Sequence, residues 1–369
     1  MKIVVIIPTY NEAENINRLL GVLLEEFKQI KDHQVEILVV DGSSPDGTAQ
    51  IVRGFSADNA CIHLVEKKKE GLGADYFYGM KYAMDVLKAE AVIEMDADFQ
   101  HDPRDVKRFV AQLDAGYDYV IGSRYIEGGS IPENWAIHRR LLSVLGNLVA
   151  RLILWLPRIS DYTTGFKASR VKGFLDSIDL SQILSKGFAY KIHLLSEMVS
   201  RRAKVKEIPI TFSSRGKGVS KMEGNNTLDS LVVVVKIRLA KSTRFLKFLS
   251  VGSIGLIIQW STLALLRTSL PPFLATALGG ELAIISNFIL NNIWTFREKI
   301  IKGRGLVFKF FQFNLSSFGG LLLQSTVVFL GNQLFGQSFY VDNIFFFLGL
   351  ILVVIWNFFF YSRIIWKVR

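Results

Sequence analysis

Residues 91–103, AVIEMDADFQHDP, drive an apolar run into Asp96 and Asp98, followed by Gln100, His101 and Asp102. Aspartates one residue apart at a strand end can aim both carboxylates at one hard cation. Oxygen ligands of this kind suit Mg²⁺ or Mn²⁺ shared with substrate phosphates. Asp96 and Asp98 are therefore candidate metal ligands, with Gln100 a third oxygen donor; the competing reading is an Asp-rich turn. Asp102, Pro103 and Asp105 fit the N-cap, first and third positions of a helix, and Asp102 is assigned to that start. His101 reads as a structural residue of the loop.

Such a loop needs strands that end together. Residues 2–7 form a β-rich apolar run, and Asn11 with Glu14 makes a capping-box pattern leading into Ile16, Leu19, Leu20, Leu23, Leu24, Phe27 and Ile30 at helical spacing. The unit repeats: EILVVD (36–41) into a helix near 48–57, CIHLVE (61–66) into a helix near 72–87, and AVIEMD into a helix near 103–115. Continuous apolar strands alternating with amphipathic helices predict an α/β domain with a mainly parallel sheet covered on both faces. Ligands of such sheets sit beyond the carboxyl ends of the strands, where Asp41, Asp96 and Arg124 fall.

The chain has 369 residues, half of them apolar, and these are unevenly spread. Up to about Ser230 short apolar runs alternate with charges; beyond Arg244 long apolar stretches carry few. Four spans follow, at about 246–266, 272–296, 307–335 and 343–362, each near the ~20 residues a bilayer requires. Lys236, Arg238, Lys241, Arg244 and Lys247 precede the first span. Arg297, Lys299, Lys302, Arg304 and Lys309 separate the second from the third, and Arg363, Lys367 and Arg369 follow the fourth. The other connections hold only Arg267 and Asp342, so the basic side, both termini and the N-terminal domain are expected in the cytoplasm of a multi-pass membrane protein.

Residues 135–157 and 228–241 read as interfacial helices, with a core helix as the alternative. Glu281, inside the second span, is costly there and suggests a function, or an inward hydrogen-bonded place. Gly252, Gly255, Gly319 and Gly320 suit close helix packing. The net charge of +11 fits an anionic membrane surface rather than nucleic acid, because the basic residues flank apolar spans. The single cysteine, Cys61, permits no internal disulfide, which suits a reducing compartment. Pro8 ends the first apolar run too early for a signal peptide.

Five stretches occur in order at strand ends or helix starts: VIIPTYNEAENI, VVDGSSPDGT, GLGADYFYG, MDADFQH and IGSRY. Together they resemble the family 2 glycosyltransferases of GT-A fold, and among them the dolichyl- or polyprenyl-phosphate mannosyl- and glucosyltransferases. The resemblance covers roughly residues 1–230. It implies that Pro8, Tyr10, Glu12 and Asp41 bind the base and ribose of a nucleotide-sugar, with Asp96, Asp98 and Gln100 holding a divalent ion at its diphosphate. Asp41 is followed by Gly42 where the family often has a second acid, so only the first acid carries over. Arg124, Arg139, Arg215 and Lys217 match basic positions of the dolichyl-phosphate mannose synthases, and guanidinium forks suit an acceptor phosphate. Asp98 and Arg124 are the expected catalytic pair. From residue 244 the chain resembles the GtrA-like four-helix membrane domain, with NFILNNIWTF and NFFFYSRIIW as recurrent span ends.

The expected organisation is a catalytic domain at 1–227, an amphipathic linker helix at 228–243 and a transmembrane domain at 244–369. The expected reaction moves a hexose from a nucleotide-sugar to a polyprenyl phosphate with inversion. GDP-mannose is the first choice of donor, because DADFQH, ENW and RGKGVSK look most like mannose synthases; UDP-glucose is second. A lipid-linked sugar flippase with a degenerate nucleotide-binding half is the alternative from another class. A processive polysaccharide synthase is disfavoured because the chain contains no Q-x-x-R-W.

Overall fold

A computed structural model describes residues 1–214 and 226–368. The chain divides into two compact units, Met1–Arg238 and Leu239–Arg369.

In the first unit strands and helices alternate: β1 (Lys2–Thr9), α1 (Ala13–Phe27), β2 (Gln34–Asp41), α2 (Thr48–Asp58), β3 (Ile62–Glu66), α3 (Leu72–Asp85) and β4 (Ala91–Glu94). A 3₁₀ turn, Pro103–Asp105, runs into α4 (Val106–Asp114) and β5 (Tyr119–Ser123). Then come α5 (Ile137–Leu154), β6 (Lys167–Arg170), α6 (Tyr190–Ser200), β7 (Val205–Pro209) and α7 (Asn226–Lys241). The sheet order is β3-β2-β1-β4-β6-β5-β7, with β6 antiparallel to both neighbours and the other pairings parallel. The mainly parallel sheet is as expected; β5, β6 and β7 belong to none of the repeating units read from the sequence.

Continuous apolar strands arise because both faces are covered. Along β1, Ile3, Val5 and Ile7 join one buried cluster with α1 and α4, and Val4 and Ile6 join the other with α3 and α6. Each such side chain contributes on the order of 1.5–3 kcal/mol on burial. The helix α3 approaches β1 through Gly79, where an ideal Cβ would lie 2.5 Å from Ile6 Cγ2.

One local expectation fails. The Asn11–Glu14 capping box does not form: Asn11 sits at φ 54, in the left-handed region, and Glu12 is the N-cap. The Asn11 N–H donates to Ser44 Oγ at 3.0 Å, so this residue ends the strand loop rather than starting the helix. Asp102 does cap the 3₁₀ turn, accepting from the Arg104 N–H.

The helix α5 buries only Asn147, Ala150 and Leu154. Ile153 is half-buried against the core, and other apolar residues, including Leu141, Leu145, Leu148 and Leu152, are exposed. On α7, Val233, Val234 and Ile237 enter the core while Leu228, Leu231, Val232 and Val235 stay outside.

The second unit holds four helices long and apolar enough to cross a membrane. They are α8 (Thr243–Leu266), α9 (Pro272–Leu290), α10 (Gly305–Phe335) and α11 (Phe339–Phe360), with π-helical turns Asn291–Thr295 after α9 and Tyr361–Ile365 after α11. The pairs α8–α9 and α10–α11 follow one plan. A Cβ on Gly255 would lie 2.5 Å from Asn287 Nδ2, and one on Gly320 would lie 3.4 Å from Asn357 Nδ2. Gly279 packs on Gln259 and Gly349 on Gln324. Phe248 meets Phe358 at 5.4 Å and Phe313 meets Phe288 at 5.4 Å. Phe296 and Trp366, each just past its π turn, stack on one another at 4.6 Å. Glu281 does not point inward: it is exposed on α9.

Candidate active site

The parallel register brings the candidate residues to one edge of the sheet. Pro8 pairs with Val40 and Thr9 with Asp41, while Ile6 pairs with Glu94. The loops after β1, β2 and β4 therefore leave the sheet side by side.

Asp41 is fully buried. Its Oδ1 accepts from Thr9 Oγ1 at 2.8 Å and Ser44 Oγ at 2.6 Å, and its Oδ2 accepts from the Ser44 N–H at 2.8 Å. Most of its acceptor capacity thus ties the end of β1 to the turn after β2. Tyr10 lies on this rim with the Lys69 ammonium 3.8 Å from its ring centroid. Glu12 receives a bond from Asn15 Nδ2 at 2.8 Å, and its backbone N–H donates to Thr48 Oγ1 at 3.0 Å.

After β4 the chain makes a strained turn. Phe99 has φ 61, a costly region for a bulky residue. The Gln100 N–H donates to Asp98 Oδ1 at 3.1 Å, closing a local turn of the kind aspartate favours. Asp98 is almost fully buried, and Gln100 Nε2 donates to the Ser213 carbonyl at 3.3 Å. Asp96 Oδ1 accepts from the Tyr76 hydroxyl at 2.9 Å. Two carboxylates and an amide oxygen in one short loop fit a hard cation whose coordination is completed by ligand oxygens. Among the described residues no group of three or more His, Cys, Asp and Glu gathers as a metal cluster, so any such ion depends on those outside oxygens.

His101 holds the loop from behind. Its Nδ1 accepts from the Asp96 N–H at 3.0 Å, and its ring stacks on Phe166 at 4.9 Å. Burial pushes its pKa down to about 4, so the imidazole is neutral, with its proton on Nε2.

Arg124 turns inward. Its Nε donates to Asp161 Oδ2 at 2.7 Å and its Nη2 to Asp161 Oδ1 at 2.8 Å and Thr163 Oγ1 at 2.7 Å. Burial alone would raise the Asp161 carboxyl, yet the guanidinium and the N–H donors around it hold the acid below its usual range. The Arg139 guanidinium lies 4.0 Å from the Trp135 ring centroid; Trp135 meets Phe212, over which Arg124 also lies at 5.3 Å. Arg215 and Lys217 lie outside the described residues.

Beneath the loop lies a charged layer that sequence reasoning did not assign. Glu94 faces Lys167 across the β4–β6 pair, and the Tyr190 hydroxyl donates to Glu94 Oε2 at 2.6 Å. The buried Lys191 follows Tyr190 at the start of α6. One signal was present: Glu94 interrupts an apolar strand, and an acid in that place requires a partner. Nothing local marks Asp161 or Lys191.

Comparison with known proteins agrees with this geometry. A glycosyl transferase family 2 model matches residues 4–176, and a GtrA/DPMS transmembrane domain model matches residues 247–366. The chain is 39% identical over 234 residues to a polyprenol monophosphomannose synthase from Mycolicibacterium smegmatis, covering 63% of this chain and 85% of that one. It is 31% identical over 331 residues to a dolichol-phosphate mannosyltransferase from Pyrococcus furiosus, covering 89% and 90%. It is 34% identical over 241 residues to an undecaprenyl-phosphate mannosyltransferase from Micrococcus luteus, covering 65% and 95%. With its parallel sheet, its acidic loop and its four apolar helices, the chain belongs to glycosyl transferase family 2 and is a multi-pass membrane glycosyltransferase with a GtrA/DPMS-type transmembrane domain.

Proposed function

We propose that this protein transfers mannose from GDP-mannose to a polyprenyl or dolichyl phosphate, with inversion, at the cytoplasmic face of the membrane. The observation that carries the reading is the meeting of the Tyr10–Asp41 rim and the Asp96–Asp98 loop at one sheet edge. It is supported by relatives whose names specify mannosyl transfer to lipid phosphates.

In this reading Pro8, Tyr10, Glu12 and Asp41 shape the nucleoside pocket, Asp41 through the turn it fixes. Asp96, Asp98 and Gln100 are the residues that would hold Mg²⁺ or Mn²⁺, which when bound neutralises charge developing on the departing diphosphate. Arg139, Arg215 and Lys217 are assigned to the acceptor phosphate. Arg124, which its fork on Asp161 fixes after β5, is assigned with Asp98 to catalysis and with these residues to the acceptor phosphate. A lipid phosphate oxygen attacks the anomeric carbon as the bond to the nucleoside diphosphate breaks, giving a β-linked product. The acceptor is already anionic near neutral pH, its second pKa being about 6, so no general base is required. The exposed leucines of α5 and α7 suit a lipid surface. The proposed division remains a catalytic domain at 1–227, a linker helix at 228–243 and a membrane domain at 244–369.

The test incubates purified protein with Mn²⁺, a short polyprenyl phosphate, and GDP-mannose or UDP-glucose in turn. A mannosyl lipid, lost in Asp98→Ala that still folds, is expected. A glucosyl product alone would replace the donor, transfer unaffected by Asp98→Ala would remove the metal role of that residue, and no product with either donor would return the flippase reading.

A further inference from the structure

The reaction outlined above uses the carboxylates of the loop but not the positive charge packed behind them. Lys191, at the start of α6, is 3% exposed, and its Nζ makes no hydrogen bond to any described residue. Its nearest ring is Phe188, at 5.1 Å. An ammonium in such a place is costly unless an anion offsets it.

Gly165 shows that Asp96 comes close to it. A Cβ on this residue would lie 2.7 Å from Lys191 Nζ, 3.1 Å from Asp96 Oδ2 and 3.1 Å from His101 Cε1. Three elements thus close on one point: the start of α6, the approach to β6 and the loop after β4. Any side chain at 165 would separate them. Of the other acids here, Glu94 faces Lys167, takes the Tyr190 hydroxyl and also feels the Lys191 charge, and Asp161 holds Arg124. Asp96 is the carboxylate that shares its point of closure with Lys191.

We infer that Lys191 is a positioning residue of the donor site, an internal counter-cation that balances Asp96 in the resting enzyme and opposes a divalent ion there. The inference rests on the reading that Asp96 and Asp98 hold such an ion. Two cations near one carboxylate repel, so the lysine keeps the site's affinity moderate. A moderate affinity lets the ion leave with the nucleoside diphosphate, while the empty loop stays in place.

The experiment is a Mn²⁺ titration of the full-length protein in detergent, followed by electron paramagnetic resonance, with no nucleotide present. Lys191→Met is expected to raise Mn²⁺ affinity, by about tenfold for loss of a neighbouring charge. Lys191→Arg is expected to stay close to the parent protein, and Asp98→Asn to weaken binding in either background. Should Lys191→Met fail to melt cooperatively, Lys191→Gln takes its place. Equal affinities in parent and variant overturn the inference and leave the cation site standing. A fall in affinity in a folded variant overturns it in favour of a merely structural lysine. If no form of the protein binds Mn²⁺, the cation site and the inference fall together.

Discussion

Glu94 and Lys167 stand directly opposite one another in the antiparallel β4–β6 pair, both fully buried. Burial pushes the Glu94 carboxyl up and the Lys167 ammonium down to about 8, each shift opposed first by the other's charge, while Lys167 Nζ donates to the Lys191 carbonyl at 3.1 Å. Lys167→Met is expected to cost about 3–5 kcal/mol, because it strands the glutamate. Adding Glu94→Gln, which still accepts from Tyr190, should recover most of that loss. Denaturant unfolding of the single and double variants measures the coupling.

His101 gives stability an acid limb. Its folded pKa, about 4, lies below the ordinary 6.5, so the unfolded chain binds the extra proton between those values. Stability contributed by this residue is complete above pH 6.5 and declines as pH falls to about 4, by about 3 kcal/mol in all. In His101→Gln that part of the decline should vanish, leaving only the carboxylate titrations. Melting temperatures of the two proteins across pH 4–7 show the difference.

The outer face of α5 should govern the lipid substrate and not the nucleotide. Leu141, Leu145, Leu148 and Leu152 recur at helical spacing and are all exposed. Changing Leu145 and Leu148 to Asp is expected to raise KM for a long-chain polyprenyl phosphate by at least ~10-fold, given about 1.5–3 kcal/mol per buried leucine. The KM for the nucleotide-sugar should stay within about twofold. Steady-state kinetics with each substrate varied separates the effects.

In the membrane unit the two glycine–asparagine contacts differ in tightness. A methyl at 255 would stand 2.5 Å from Asn287, whereas one at 320 would stand 3.4 Å from Asn357. Gly255→Ala should therefore destabilise by about 1–3 kcal/mol and Gly320→Ala, whose nearest atom would be Val353 Cγ1 at 3.2 Å, by less. Asn287→Ala should relieve the first. Thermal unfolding in detergent tests the ranking.

Much of this was legible in the chain. Strands β1 to β4 were visible because both faces are buried and their apolar runs are unbroken. The four spans were visible because a bilayer demands length. By contrast β6, KASR, is short and polar, and its place is set by antiparallel pairing with β4 and β5, which no local pattern encodes. Asn11 has the right residue type for a cap, but its left-handed backbone turns it toward Ser44. The loop carrying Asp96, Asp98 and Gln100 at the end of β4 was marked by their spacing. Asp161 was not marked, since the partner it holds is Arg124, far along the chain and drawn in by the fold.

The repeated plan of the membrane unit has a further consequence where its copies have drifted apart. Gly279 and Gly349 mark equivalent points of α9 and α11, and two residues beyond each stand Glu281 and Ile351, both exposed. The hairpins are near-duplicates within and unlike at the rim. The interior of the unit is thus close to two-fold, while its outer surface carries a carboxylate on α9 where α11 has an isoleucine.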